Sequence, residues 1–247
     1  LASALTALAG IGAMSRWKTM SGKLLLGQIA GSVILAIFMA AVFPLVHAGE
    51  MNFKVAFGMF IATLLIATTV RDVWTKSKGQ LNRLSKLSLS YWGMVIAHLG
   101  VAITVIGIAV VSNFSVEKAL KMYPGESATL SGYEFKFAQI GTQQGPNYSA
   151  HVGVFEISQG DELVATLHAE KRRYKVKGSM MTEAAIDAGL FRDLYVSMGE
   201  PLENGAWAMR LQVKAYMRWV WLGSLFMSLG GLLAILDKRY RMRVKSA

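Results

Sequence analysis

Long apolar runs fill most of the first half of the chain and return near its end. A helix needs about 20 apolar residues to cross the hydrocarbon core of a bilayer. Residues 24–46, 53–70, 90–111 and 219–236 therefore predict four full transmembrane helices. Residues 1–14 are apolar but shorter, and no basic region precedes them as it would in a signal peptide. We expect 1–14 to be the end of a truncated transmembrane helix, in a chain that is the C-terminal piece of something larger.

Residues 113–217 show a different pattern, in which apolar and polar positions alternate over short runs. Alternation with period two is typical of half-buried strands. Five runs show it, at 133–140, 148–158, 162–176, 194–200 and 207–216, and turn signals such as "QQGPN" and "QGDE" separate them. The pattern predicts a small antiparallel sandwich or barrel, while 181–191 favours a short helix or a long loop.

Basic residues are concentrated in three segments, at 16–23, 71–86 and 238–245, whereas the link between the first two full helices holds only Glu50 and Lys54. Lysine and arginine accumulate on the cytoplasmic side of membrane helices. Alternation of sides through the four helices places all three segments on that side. The chain is thus predicted to be a membrane α-helical bundle, with four full transmembrane helices and a partial first one, and an inserted, mainly β domain on the external side.

The predicted organisation has five parts along the chain. Residues 1–14 end a truncated helix, and 15–112 hold three transmembrane helices with basic cytoplasmic loops. Residues 113–217 form the external β-rich domain, 218–237 the last transmembrane helix, and 238–247 a basic cytoplasmic tail. We expect a multi-pass membrane protein.

Composition and charge narrow the class of protein. Of the 247 residues, 53% are hydrophobic and 17% are charged, below the roughly 25% charged residues of a soluble domain. The net charge is +11, but residues 113–217 carry 11 Lys and Arg against 12 Asp and Glu. The excess positive charge therefore lies beside the membrane, where it meets anionic lipid, and no nucleic-acid partner is expected. The chain has no cysteine and so no thiolate chemistry of its own.

One histidine, His98, lies inside a predicted membrane helix, 8 residues beyond Ser90 or roughly 12 Å along the helix axis. An ionisable residue at such a depth is a functional-site hypothesis by default. The imidazole could be hydrogen-bonded to a neighbouring helix, could relay protons, or could ligate a metal or haem. Beside it runs a stripe of small residues, at 93, 97, 100, 104 and 107, that predicts close packing of another helix.

Other polar groups give weaker indications. His47 is predicted at the external end of the first full helix, on the opposite side of the membrane from His98. His151 and His168 are predicted on strands of the external domain. None of them has zinc-site spacing with another histidine. The basic residues at 171, 173, 175 and 177 alternate along one strand and favour a solvated face over contact with haem propionates. Glu183 and Asp187 have the i,i+4 spacing of a helix, for which a cap or hinge role is favoured over acid–base catalysis.

Several motifs along the chain resemble those of one protein family. "SYWGMVIAHLGVAITVIGI", "GPNYSAHVGVFEI", "EKRRY" and the run from "MTEAAIDAGLF" to "LLAILDKRYR" are similar to the C-terminal region of CcmF, the haem lyase subunit of the bacterial cytochrome c maturation system. The resemblance covers essentially the whole chain. It implies a multi-pass protein of the bacterial inner membrane whose domain at 113–217 is periplasmic. It also implies that a CcmF N-terminal part, CcmH and the haem chaperone CcmE are partners, and that haem is attached to the CXXCH cysteines of apocytochrome c.

The resemblance also implies a cofactor. Members of the family hold a b-type haem between two transmembrane histidines, and the second of them corresponds to His98 in this sequence, as axial ligand of the haem iron. The family's tryptophan-rich segment and its other haem-ligating histidines precede the region present here. We therefore expect this chain to supply one axial ligand and to be inactive alone, with its catalytic residues unknown. The alternatives are a non-catalytic scaffold that docks maturation partners and a quinol-linked haem electron-transfer subunit.

Overall fold

The structure is a computed structural model that describes residues 22–176 and 178–237, and the chain divides into a helical unit and a β-rich unit, Phe114–Met217. Four α-helices lie in the described residues: α1 (Gly22–Ala48), α2 (Phe53–Lys76), α3 (Leu89–Phe114) and α4 (Met217–Leu236). A 3-10 helix, Leu81–Lys86, joins α2 to α3. The predicted helix end at 1–14 and the tail at 238–247 lie outside the described residues.

All four helices contain a segment long and apolar enough to cross a membrane, which confirms the four predicted spans. Large apolar side chains point away from the unit, among them Ile34, Phe38 and Trp221, each more than half exposed. Such a surface is stable only against an apolar surrounding. Helix α2 begins where Asn52 caps it: the side-chain oxygen accepts hydrogen bonds from the backbone N–H groups of Lys54 and Val55 at 3.1 and 3.2 Å.

Helix α3 packs against both α2 and α4 at glycine positions. A Cβ atom on Gly93 would lie 2.5 Å from the carbonyl oxygen of Gly230, and one on Gly100 would lie 2.6 Å from that of Gly223. On the α2 side, a Cβ on Gly58 would lie 2.5 Å from the Cβ of Ala109. Only glycine allows such an approach of backbones. The small-residue stripe therefore has the predicted packing role, with α4 as its partner.

The β-rich unit holds nine strands among the described residues, in two antiparallel sheets. The strands are β1 (Val116–Met122), β2 (Ser127–Leu130), β3 (Tyr133–Gln144), β4 (Tyr148–Gln159), β5 (Glu162–Tyr174), β6 (Met180–Glu183), β7 (Ala185–Ala188), β8 (Arg192–Pro201) and β9 (Trp207–Ala215). One sheet has the order β1-β9-β8-β7 and the other β2-β3-β4-β5-β6. The fold is thus a sandwich, one of the two predicted alternatives.

The core of the sandwich is apolar and rich in aromatic side chains. Phe135, Phe137 and Phe155 are fully buried from the five-stranded sheet, and Leu194 and Met198 face them from the other. The rings of Phe137 and Phe155 stack with centroids 4.8 Å apart. Burying a side chain of this size stabilises the fold by about 2–3 kcal/mol, so this cluster holds the two sheets together.

The prediction of a helix or loop at 181–191 is wrong. Residues in this segment form β6, which pairs with β5, and β7, which pairs with β8. The segment crosses from one sheet to the other and completes an edge of each. Alanine and glutamate are good helix formers, but the pairing of an open sheet edge overrides that local preference. Strands β1 and β2 also lie outside the five runs that the sequence pattern predicts.

Candidate functional site

His98 lies in the middle part of α3, with a ring that is partly exposed. Its Nδ1 atom is enclosed by protein and has no hydrogen-bond partner among the described residues. The interpretation as an imidazole satisfied by a neighbouring helix therefore finds no support in this part of the chain. A buried polar nitrogen without a partner is costly, and such an atom is a common sign of a missing ligand or partner.

His98 belongs to no cluster of three or more metal-ligating side chains in the part of the chain that the structure describes. No group of three or more His, Cys, Asp or Glu side chains comes together within residues 22–176 and 178–237. His47 lies in the last turn of α1, where its ring stacks on that of Phe43 with centroids 5.5 Å apart. His151 and His168 both belong to the β-rich unit and are exposed. Within the described helices, His98 is thus the histidine that lies inside an apolar span, whereas His47 lies at a helix end.

A polar cluster joins α2 to α3 near the predicted cytoplasmic ends of these helices. The Asp72 carboxylate is nearly buried. It accepts a hydrogen bond from the Tyr91 hydroxyl at 2.7 Å and forms an ion pair with the Lys76 ammonium at 3.1 Å. The Lys76 ammonium also lies 4.2 Å from the centre of the Tyr91 ring. Both donors reach the same carboxylate oxygen, Oδ2. The cluster fixes the register of α3, and hence of His98, against α2.

This cluster lies beyond the second predicted helix, which ends near Val70, before Asp72. Helix α2 continues to Lys76 instead. One sequence signal could have found it. Asp72 and Lys76 have the i,i+4 spacing of a helical ion pair, which indicates that the helix extends past the apolar run.

The predicted solvated basic face on β5 is wrong for its first member. Strand β5 ends at Tyr174, so Lys175 lies in a turn, and Lys177 lies outside the described residues. Lys171 is 7% exposed, and its ammonium pairs with Glu200 at 2.7 Å. The sandwich core continues on the same face of the strand, and that is why the lysine is buried.

Arg172 points to the opposite face of β5 and is held by acidic partners. Its guanidinium lies 2.7 Å from the Glu170 carboxylate and 3.4 Å from that of Glu183. The hydrogen bond to Glu170, followed by that to Tyr174, raises the pKa of Arg172 above its usual range. The ion pairs already engage this arginine, so it contributes to the cohesion of the sheet.

The structure does not assemble Glu183 and Asp187 into an acid pair. They lie on β6 and β7, in different sheets, and not on one helix. Asp187 pairs with Arg192, and Glu183 pairs with Arg172. The helical spacing that suggested a cap or hinge does not exist in the fold, and each carboxylate instead neutralises an arginine.

Comparison with known proteins agrees with this architecture. The family described as the CcmF C-terminal beta-sandwich matches residues 113–215. A cytochrome c-type biogenesis protein CcmF from Pseudomonas aeruginosa is 44% identical over 248 residues, covering 100% of this chain and 38% of that protein. The protein of the same name from Escherichia coli is 38% identical over 237 residues, covering 96% of this chain and 36% of that protein. The chain thus spans little more than a third of the length of these relatives.

A solved structure titled cytochrome c heme lyase CcmF has the same fold, with a TM-score of 0.80 over 95% of this chain and 38% of that chain. Its sequence is 16% identical, so this likeness concerns the fold of the helices and the sandwich. The relatives named above share far more sequence, and they match along nearly the whole chain. The chain belongs to the CcmF family of cytochrome c biogenesis proteins and corresponds to its C-terminal part.

Proposed function

We propose that this chain is the C-terminal part of a cytochrome c haem lyase, in which His98 is one axial ligand of a membrane-embedded b-type haem. The observation that carries the proposal is a histidine on a membrane helix whose ring is partly exposed and has no hydrogen-bond partner among the described residues. Membership of the CcmF family supplies the chemistry that such an imidazole would serve. The second axial ligand comes from the N-terminal part of the protein or from another chain.

A b-type haem held by His98 would supply one-electron redox chemistry for reduction of the haem that is to be attached to apocytochrome c. The contribution of this chain is to hold an imidazole at a fixed place. Glycine contacts clamp α3 against α4, and the Asp72–Tyr91 hydrogen bond ties it to α2. A rigid ligand of this kind fixes the orientation of the ring, which is one of the means by which a protein tunes the potential of an axial haem.

The β-rich unit has a separate part in the proposed function. We place residues 113–217 on the periplasmic side of the inner membrane, because the basic segments all fall on the other side by the charge rule. There the sandwich meets CcmH, the haem chaperone CcmE and the CXXCH segment of apocytochrome c. This role needs a stable surface, and the continuous apolar core supplies it.

The visible spectrum of the whole protein tests the haem assignment. This chain, expressed together with the N-terminal part of the family protein, is expected to show the absorbance of a six-coordinate b-type haem. His98→Ala is expected to abolish or shift that absorbance. His98→Met is expected to keep some haem but to raise its reduction potential, because a thioether ligand favours ferrous iron.

His168→Ala is the matched control, since it removes an exposed imidazole from the β-rich unit. It is expected to leave spectrum and potential unchanged. If His98→Ala retains both the b-type absorbance and the potential of the unmutated protein, His98 is not a ligand. Maturation that continues normally in that variant would favour the scaffold interpretation instead.

A further inference from the structure

The inner face of the five-stranded sheet changes from apolar to polar toward one end of the sandwich. Phe155, Leu167 and Ala169 are buried in the core. The next positions with the same alternation are His151 on β4 and Lys171 on β5, which are paired directly across the sheet. Thr142 on β3 lies opposite His151. The row therefore presents an imidazole, an ammonium and a hydroxyl on the face that elsewhere forms the core.

A cavity of about 280 Å³ opens at this row. We call it the cationic notch and define it by Thr142, Ser149, His151, Lys171, Arg173 and Glu200. Ala150, Met180 on the edge strand β6, and Pro201 complete the lining. Five of the six defining side chains can donate hydrogen bonds, and only Glu200 carries a negative charge. The site is thus built for an anion.

In the cationic notch the Lys171 ammonium is held in place, whereas the Glu200 carboxylate is exposed and can be displaced. The Lys171 side chain is 8% exposed and is held by Glu200 at 2.7 Å and by the Thr182 hydroxyl at 3.2 Å. The Glu200 side chain is 63% exposed and lies at the end of β8, where the pairing with β9 becomes irregular. A buried ammonium needs a partner, but that partner can be replaced by another carboxylate.

Arg173 adds a second cation to the notch. Among residues 22–176 and 178–237 it forms no ion pair with a carboxylate, and its Nε donates only to the sulfur of Met180, at 3.4 Å. The His151 ring lies 5.2 Å from that of Trp207 and remains exposed. The notch therefore has donors to spare beyond those that Glu200 satisfies.

We propose that the cationic notch binds a carboxylate of a polypeptide partner, which displaces Glu200 from Lys171. The volume is at the small end of ligand sites, so it accommodates an acidic side chain or a chain terminus but not a macrocycle. The adjacent β6 is an edge strand, and edge strands offer unpaired backbone groups to an extended peptide. Binding here does not depend on haem ligation by His98, so the two proposals can fail separately.

Fluorescence anisotropy with labelled pentapeptides tests the proposal on the whole chain in phosphatidylcholine nanodiscs. The sequence GSGSE with an amidated terminus carries a side-chain carboxylate, GSGSG with a free terminus carries a terminal one, and amidated GSGSG carries none. One of the first two is expected to bind, and which of them binds identifies the source of the carboxylate. Lys171→Met is expected to weaken binding by about tenfold or more, since a charge-assisted hydrogen bond is lost.

Glu200→Gln gives the sharper prediction, because removal of the internal carboxylate should tighten binding roughly fivefold. Glu156→Gln is the matched control, since it removes a carboxylate from the exposed pair with Lys136 on the same sheet. Equal effects of the two substitutions would indicate general electrostatics and overturn the proposal. It is also overturned if the Glu200→Gln chain shows no carboxylate-dependent binding at millimolar peptide. Both variants retain Lys171, so this comparison holds even if Lys171→Met does not fold.

Discussion

Two polar side chains in the helical unit show opposite solutions to the cost of leaving water. Asp72 gains a hydroxyl and an ammonium as partners on one carboxylate oxygen. His98 has an enclosed nitrogen without any partner from the described residues. A buried polar group whose hydrogen bonds are all formed within the fold can be accounted for by its contribution to stability. A group that is not satisfied is better explained by something that binds to it, and this contrast is the physical basis for assigning function to His98 and structure to Asp72.

Removal of the Tyr91 hydroxyl tests the structural role of this cluster. Tyr91→Phe leaves the nearly buried Asp72 carboxylate with Lys76 alone, and we expect a loss of about 1–2 kcal/mol in the free energy of unfolding. Thermal unfolding of the chain in detergent, followed by circular dichroism, would measure it. Tyr123→Phe serves as the control, because Tyr123 lies in the β-rich unit and is only partly buried. Equal stability of the two variants would show that the Asp72–Tyr91 bond contributes nothing.

At the scale of elements, adjacent glycines of α4 differ sharply in their surroundings. A Cβ on Gly230 would lie 2.5 Å from the carbonyl oxygen of Gly93 and 2.8 Å from the backbone nitrogen of Ala97. A Cβ on Gly231 would meet nothing within 4 Å. Backbone atoms cannot move aside as a flexible side chain can, so a methyl group at 230 must push the two helices apart.

We therefore expect Gly230→Ala to destabilise the α3–α4 pair by about 1–3 kcal/mol, the usual cost of overpacking. Gly231→Ala should be neutral or slightly stabilising, because alanine favours helices more than glycine does. Midpoints of unfolding in a mixed-micelle denaturant titration would compare them. Indistinguishable midpoints would mean that the helices do not approach as closely as described.

The elements that could be predicted well are those whose residue pattern is set by one local property of the sequence. The four apolar helices depend on hydrophobic length, and the stripe at Gly93 and Gly100 depends on residue size, so both could be predicted from the sequence. Strands β6 and β7 could not, because they form only when β5 and β8 offer open edges. The burial of Lys171 was missed for a related reason: the carboxylate that pairs with its ammonium belongs to Glu200, 29 positions further along the chain. Pairings of this kind are not visible in local alternation.

At the scale of the whole molecule, the proposed orientation can be tested with unusual clarity because the chain has no cysteine. Asp161→Cys lies in an exposed turn of the β-rich unit, and Gln80→Cys in the exposed link before the 3-10 helix. A membrane-impermeant maleimide is expected to label Asp161→Cys in cells with a permeabilised outer membrane. It should label Gln80→Cys only after the inner membrane is lysed. The reverse pattern would invert the topology and remove the basis for periplasmic docking.

The pairing of β1 with β9 has a consequence for how this architecture could arise and be altered. Val116 lies opposite Val213, so the first and last strands of the sandwich run side by side and its two ends leave at the same edge. Because the two ends of the folded sandwich lie close together, inserting it between two helices adds little cost in loop-closure entropy, however many residues it contains. We therefore expect that replacing the sandwich by a short turn would leave the two chain ends that adjoin it at the same separation.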